Sequence, residues 1–183
     1  MNISQRIKAL ALFTILIAVF AVTGKSQMPG DAEKHFYEST LAVPEAFNDG
    51  DLKKAAILSE DLLREAESWK KDWNYGNAIH YANVVLGRIA LIKKEPEKAK
   101  AYLLKAGRTP GSPQLNTFGP DMLFASEMLK RGETETVLQY FDLCEKFWVM
   151  GSDQLKEWRA VVKSGGTPDF RPNVRYVFGR AAK

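Results

Sequence analysis

The sequence predicts an all-helical protein: about three antiparallel helix pairs set side by side as a short solenoid, closed by a C-terminal capping helix. Three observations predict it. Apolar residues recur at three- and four-residue steps through most of residues 31–164, the period of one helix face. The strict alternation of a half-buried strand is nearly absent. Three short segments, GDLKKA at 50–55, KEPEKA at 94–99 and GETETV at 132–137, also share one pattern. Each has a helix stop, an acidic or proline-containing helix start, and then a small or β-branched residue. Glycine permits a left-handed helix cap, acidic residues suit the positive end of the next helix, and Pro96 fits a first helical position. A single helix hairpin cannot bury its apolar face, whereas about three in a row with an end cap can.

The N-terminus stands apart. Arg6 and Lys8 precede residues 9–22, fourteen positions without a charge and with only Thr14 polar. A membrane-crossing helix needs roughly twenty apolar residues, so this stretch suits the apolar region of an export signal, with small residues near Ala21 or Gly24 for cleavage. The expectation is a signal peptide in residues 1–24 and an exported product. Membrane attachment through an uncleaved residue 9–22 helix is the alternative.

The body follows. The first pair has its turn at 50–55, with Ala55 and Leu62 on the inner face; Pro44 is expected to interrupt its leading helix. Trp69, Trp73 and Tyr75 crowd the junction with the second pair, where packing explains them better than base stacking. A helix over 74–93 leads the second pair, and Ala99, Leu103 and Ala106 follow its turn. Residues 107–121 (GRTPGSPQLNTFGPD) hold three prolines and three glycines. No strand precedes them and no Lys-Ser or Lys-Thr closes them, so they read as a joint and not a phosphate loop. Arg108, Gln114 and Asn116 remain candidates for rim contacts. Gly119-Pro120-Asp121 announces the third pair, with Phe124, Ala125, Val137, Phe141 and Cys144 apolar. A capping helix takes Ser152 as N-cap, Leu155, Trp158, Val161 and Val162 as inner face, and Gly165 as stop. Residues 165–183 form a basic tail containing aromatics.

Composition narrows function. With 45% hydrophobic and 26% charged residues, the chain fits a globular body and not a disordered one. Its net charge of +4 resides in the ends: residues 25–164 carry 20 basic and 21 acidic side chains. A neutral body offers no footprint for nucleic acid. Cys144 is the single cysteine, so no internal disulfide forms, and its apolar setting marks it as a buried hydrophobe. His35 and His80 lie 45 residues apart without HExxH or a cysteine pair, and no metal site or cofactor is expected. Glu95 with Lys98, and Glu97 with Lys100, have the spacing of solvated helix pairs. No nucleophile elbow surrounds any serine, and an enzyme is not expected.

Leu86, Gly87, Ala99, Ala106 and Pro110 resemble the tetratricopeptide repeat pattern W-x₂-L-G-x₂-Y, A-x₃-F, P, with Asn83 and Ala90 in place of its aromatics. Phe124, Ala125, Val137, Phe141 and Cys144 repeat the match, and Ala55 with Leu62 do so in part. Ala55, Ala99 and Val137 are spaced by 44 and 38 residues against about 34 for the repeat. The block 76–148 is also similar to uncharacterised bacterial repeat proteins, a likeness that implies no activity. The resemblance implies small residues, Gly87 and Ala99 among them, where paired helices cross, and a concave groove lined by leading helices.

A polar stripe gives that groove its candidates. Asn77, His80 with Tyr81, Val84 and Arg88 share one face of the 74–93 helix. The resemblance places Tyr81, Val84 and Arg88 in the groove, with Met122, Ser126 and Lys130 as their counterparts one unit later. Arg88 and Lys130 would supply two cations and Tyr81 an aromatic platform, a setting for an acidic or carboxylate-bearing peptide. The same stripe also suits a structural role, with Asn77 and His80 bridging neighbouring helices and Arg88 solvated. The functional expectation is therefore a non-enzymatic module binding a protein or peptide partner in a helical-repeat groove. Its alternative is an accessory subunit of an envelope assembly that docks through its tail and end faces.

Overall fold

A computed structural model describes residues 30–174. The chain divides into two units, Met1–Gly30 and Asp31–Lys183, and the described residues belong almost wholly to the second. The expected signal or anchor segment, and the tail beyond residue 174, lie outside the described residues. Among the described residues eight helices follow one another: α1 (Asp31–Asn48), α2 (Leu52–Ala66), α3 (Tyr75–Ile92), α4 (Pro96–Gly107), α5 (Pro113–Phe118), α6 (Leu123–Leu129), α7 (Thr134–Cys144) and α8 (Ser152–Lys163). Single 3₁₀ turns lie at Glu67–Trp69, Val149–Gly151 and Arg171–Asn173. No strand occurs among the described residues, and no helix there is long and apolar enough to cross a membrane. The protein is all-helical in these residues.

The three turns grouped by sequence close with one backbone device. Gly50 N–H donates to Phe47 O and Asp51 N–H to Ala46 O, both at 3.1 Å. Lys94 and Glu95 donate to Leu91 O and Ala90 O at 3.1 and 2.9 Å, and Gly132 and Glu133 to Leu129 O and Met128 O at 2.9 and 3.1 Å. Such nested bonds satisfy carbonyls at a helix end and require one residue in the left-handed region. Residues 50, 94 and 132 supply it at φ of 82°, 59° and 80°. Glycine holds this conformation freely, while the Cβ of Lys94 makes it cost roughly 1 kcal/mol. Five residues further on in each case, Ala55, Ala99 and Val137 are fully buried. Helix α8 ends the same way, with Gly165 at φ 82° and Gly166 N–H bonded to Val161 O.

Helices joined by these turns pack on one another: α1 with α2, α3 with α4, α6 with α7. Further packing sets α1 and α2 against α3, α4 against α7, both α3 and α4 against α6, and α8 against α7. Helix α3 is enclosed: every residue from Gly76 to Leu91 except Ile79 is buried. Gly87 permits the closest approach. A methyl there would overlap the Phe124 ring of α6 and lie 3.1 Å from Tyr102 Cβ of α4. The small residue expected to face Ala99 thus makes room chiefly for Phe124, with Tyr102, three residues past Ala99, beside it. Trp69 stacks on Phe36 at 5.4 Å and Trp73 lies 4.9 Å from Tyr37, so both tryptophans pack on α1.

Three local expectations are corrected. Pro44 does not interrupt α1, which runs through it. The proline removes one backbone bond, yet Phe36, Val43, Ala46 and Phe47 are buried on either side of it, and that apolar face holds the helix together. The 107–121 joint contains α5, started by Ser112, whose Oγ accepts from Leu115 N–H at 3.0 Å, and by Pro113 at the first position. Ser152 does not cap α8. Gly151 holds that position, and the Ser152 hydroxyl donates to Val149 O at 2.7 Å.

Candidate functional site

The polar stripe of α3 lies inside the protein. Asn77 is 5% exposed; its amide donates to Asn74 Oδ1 at 3.0 Å and Gln114 Oε1 at 3.1 Å, and its side-chain carbonyl accepts from Ser112 Oγ at 2.7 Å. His80 is fully buried, with Nδ1 3.2 Å from Ala106 O. A carbonyl accepts only, so Nδ1 carries the proton. Asn74 extends the network to Thr40 Oγ1 at 2.9 Å, and Thr109 Oγ1 donates to Gly76 O at 2.7 Å. These bonds tie α3 to α1, α4 and α5. Each satisfies a group that burial would otherwise penalise by about 1–3 kcal/mol. Tyr81, Val84 and Met122 are buried as well.

Arg88 differs most from its expected position. It is 1% exposed, and its Nε and Nη2 donate to Glu127 Oε2 and Oε1 at 2.9 and 2.8 Å. The guanidinium also lies 4.6 Å from the centre of the Phe47 ring. A planar fork meeting a carboxylate over an aromatic face is a geometry that arginine fits and lysine does not. Arg88 is neither solvated nor an open groove cation. It links α3, α1 and α6. Above it sits a pocket of about 80 Å³ lined by Phe47, Arg88, Leu91, Ile92, Glu127, Lys130 and Arg131. The structure therefore brings Arg88 and Lys130 to one place, as the sequence suggested, but only Lys130 is exposed and Ser126 half-buried among the eight groove candidates. Arg131 Nη1 donates to Glu127 O at 2.8 Å and completes the rim.

A second surface forms where the chain leaves α8. Phe170 packs edge-on against Trp158 at 4.9 Å, Trp148 lies 5.9 Å from Trp158, and Phe141 contacts both Trp158 and Phe170. Asn173 fastens the segment: its side-chain amide donates to Phe118 O at 2.9 Å, and its backbone carbonyl accepts from Met122 N–H at 2.8 Å. Gly119, at φ 77°, lets the Trp148 ring approach so closely that a Cβ would fall 2.5 Å from its Cε2. With Trp148 turned inward, the next residues project outward. Val149 is 71%, Met150 76% and Phe118 65% exposed, and Val174 lies at the edge. Scattered apolar residues on a surface are ordinary, but a contiguous group is a feature of interaction faces. Sequence reading missed these residues, though WVMG has no helical period to place its apolar side chains in the core.

Among the described residues no three His, Cys, Asp or Glu side chains gather as metal ligands. Burial pushes the Cys144 thiol and the adjacent Tyr140 hydroxyl well above their ordinary ranges, which keeps the thiol protonated. Glu95–Lys98 and Glu97–Lys100 pair at 3.0 and 2.6 Å, with Glu95 and Lys100 half-buried. No protein-family model, curated protein or solved structure matches the chain.

Proposed function

We propose that this chain is a non-enzymatic protein-interaction module, acting after export, whose helix pairs stack as a short tetratricopeptide-like solenoid. Its partner docks on the end face formed by Phe118, Val149 and Met150. The exposure of those three side chains beside a rigid aromatic cluster is the observation that carries the reading. The solenoid part draws support from the shared turn device and from the packing of α1 on α3 and α4 on α7. Docking through an end face follows from burial: groove positions 77, 80, 81, 84, 88 and 122 are committed to the interior, so a partner has little to grip there. The test is crosslinking in the native envelope from a photoreactive residue at position 150, with position 57 on α2 as control. A defined adduct from 150 and none from 57 is expected. No adduct from 150 would defeat the reading. Mass spectrometry of the mature N-terminus tests export, with a start after residue 21 or 24 expected.

A second reading keeps a peptide carboxylate at the pocket over Arg88, because Lys130 and Arg131 rim it. Lys130→Glu with Arg131→Glu leaves the buried pair intact, and loss of peptide capture in that variant would favour it.

A further inference from the structure

The aromatic junction at 69–75 and the proline- and glycine-rich joint at 107–121 meet across one cleft. Its volume is about 380 Å³; Lys70, Asp72, Trp73 and Tyr75 line it from the first segment, Pro113 and Asn116 from the second. That is the size of a small-molecule site. The two segments are fixed to each other. Thr109 Oγ1 donates to Gly76 O at 2.7 Å, Ser112 Oγ donates to Asn77 Oδ1 at 2.7 Å, and a methyl on Gly76 would overlap the Gly111 carbonyl. The cleft shares no lining residue with the end face.

Trp73 decides what the cleft can take. It is 45% exposed, whereas Trp148 and Trp158 are buried. Its ring is nonetheless held: Nε1–H donates to Tyr37 Oη at 2.7 Å, the two rings lie 4.9 Å apart, and the Tyr37 hydroxyl donates in turn to Glu33. The indole N–H is therefore spent on Tyr37. What remains for a ligand is the electron-rich face of an immobilised ring, offered at little entropic cost. The charged lining residues are one cation and one anion, Lys70 and Asp72, so the cleft favours neither an anionic nor a cationic ligand. Around the ring stand a carboxylate that accepts, an ammonium that donates and an amide, Asn116, that does both. A neutral molecule with C–H bonds on one face and hydroxyls at its rim answers all of these groups.

We propose that this cleft binds a neutral saccharide: a β-linked ring with equatorial hydroxyls stacks its C–H face on Trp73, and Lys70, Asp72 and Asn116 hydrogen-bond to its hydroxyls. Equatorial substituents leave the ring face flat, and its C–H hydrogens carry the partial positive charge that the indole face attracts. The site is independent of partner docking at the end face.

The test is an NMR titration of the full chain with chitobiose and with cellobiose, following indole and backbone N–H signals. With at least one of them the Trp73 indole signal should shift and saturate, with a dissociation constant of about 1 mM or tighter. Backbone amides in 111–116 should shift alongside, and the Trp148 and Trp158 indole signals should stay still. Asn116→Ala, a change at an exposed side chain, should weaken binding about fivefold. Trp73→Ala should abolish the shifts in 111–116, while Trp73→Phe, which keeps an aromatic face, should retain part of the binding. The unshifted signals of each variant report that it is folded. No shift with either disaccharide at about 20 mM, well above that constant, overturns the proposal. Shifts in 111–116 that persist in Trp73→Ala would place the sugar elsewhere and overturn it too. Shifts produced by hexaproline or by tetramethylammonium, and not by the sugars, would make the cleft a peptide groove or a cation cage, and either overturns it. Docking is read separately, because crosslinking from position 150 should be unchanged in Asn116→Ala.

Discussion

Replacing Glu127 by alanine tests whether Arg88 belongs to the interior or to a groove. The guanidinium is 1% exposed and the glutamate side chain 9%, joined by two parallel bonds of 2.8 and 2.9 Å. Breaking a buried pair by removing one partner costs about 3–5 kcal/mol, because the charge left behind has lost its compensation. The Phe47 ring at 4.6 Å remains and returns about 1–2 kcal/mol of cation–π attraction in either state. It does not replace the carboxylate. Against a total stability of about 5–15 kcal/mol, the loss is large, near 10 °C in melting temperature for a body of this size. Guanidinium chloride unfolding of wild type, Glu127→Ala, Arg88→Met and the Arg88→Met/Glu127→Leu double variant forms the assay. The double variant should fall within about 1 kcal/mol of wild type, since an apolar pair of similar volume carries no desolvation penalty. If Glu127→Ala costs less than about 1 kcal/mol, water already solvates Arg88 and the groove assignment returns.

Three further outcomes follow from single positions. Lys94→Gly should stabilise by about 0.5–1 kcal/mol in the same unfolding assay, since it relieves a side chain at φ 59°; a loss of stability would show that the turn is held otherwise. Gly87→Ala should destabilise by about 1–3 kcal/mol despite better helix propensity, because the methyl overlaps the Phe124 ring. Combining it with Phe124→Leu should recover much of that loss. Arg171 beside Asp169 holds that carboxyl down to about 2. A depressed carboxylate stabilises above its unfolded value of 3.8 and loses that contribution as pH falls toward 2. NMR titration should place its midpoint near 2 in the wild type and raise it part of the way back in Arg171→Gln, where the backbone N–H of residue 171 still donates to Asp169 Oδ1.

Much of the helical order was legible because its signals are local. Gly50, Gly132 and Gly165 announce left-handed caps, Pro96 announces a helix start, and Ala55, Ala99 and Val137 are the first buried apolar residues after each turn. Even Lys94 was placed correctly by its neighbours, though nothing in a lysine advertises positive φ. The site was less legible because its facts are long-range. Arg88 and Glu127 are 39 residues apart, and periodicity cannot announce that they meet. Periodicity also separates faces only where one of them meets water. On α3 nearly every face is covered, so a polar stripe carried no information about exposure. Helix α5 escaped for another reason: six residues are too few to show a period, although Ser112-Pro113 is a sound start signal.

The distribution of polar and apolar groups is what directs the proposed docking to the face of Phe118, Val149 and Met150. Stacked helices can slide along one another at little cost if only apolar contacts join them, since burial is non-directional. Hydrogen bonds are directional, and Asn77 to Ser112 and Gln114, His80 to Ala106 O and Arg88 to Glu127 each fix one helix against another. Using the polar residues of α3 this way removes them from the surface, where a ligand groove would need them. The side chains of Phe118, Val149 and Met150 project outward instead, and Trp148 already fills the space beneath Gly119. Replacing each by serine should leave the unfolding free energy nearly unchanged, within about 0.5 kcal/mol apiece, while Phe118→Ser with Val149→Ser should abolish crosslinking from a photoreactive residue at position 150. A large loss of stability would instead make these three side chains part of the core, and the docking face would have to be sought elsewhere.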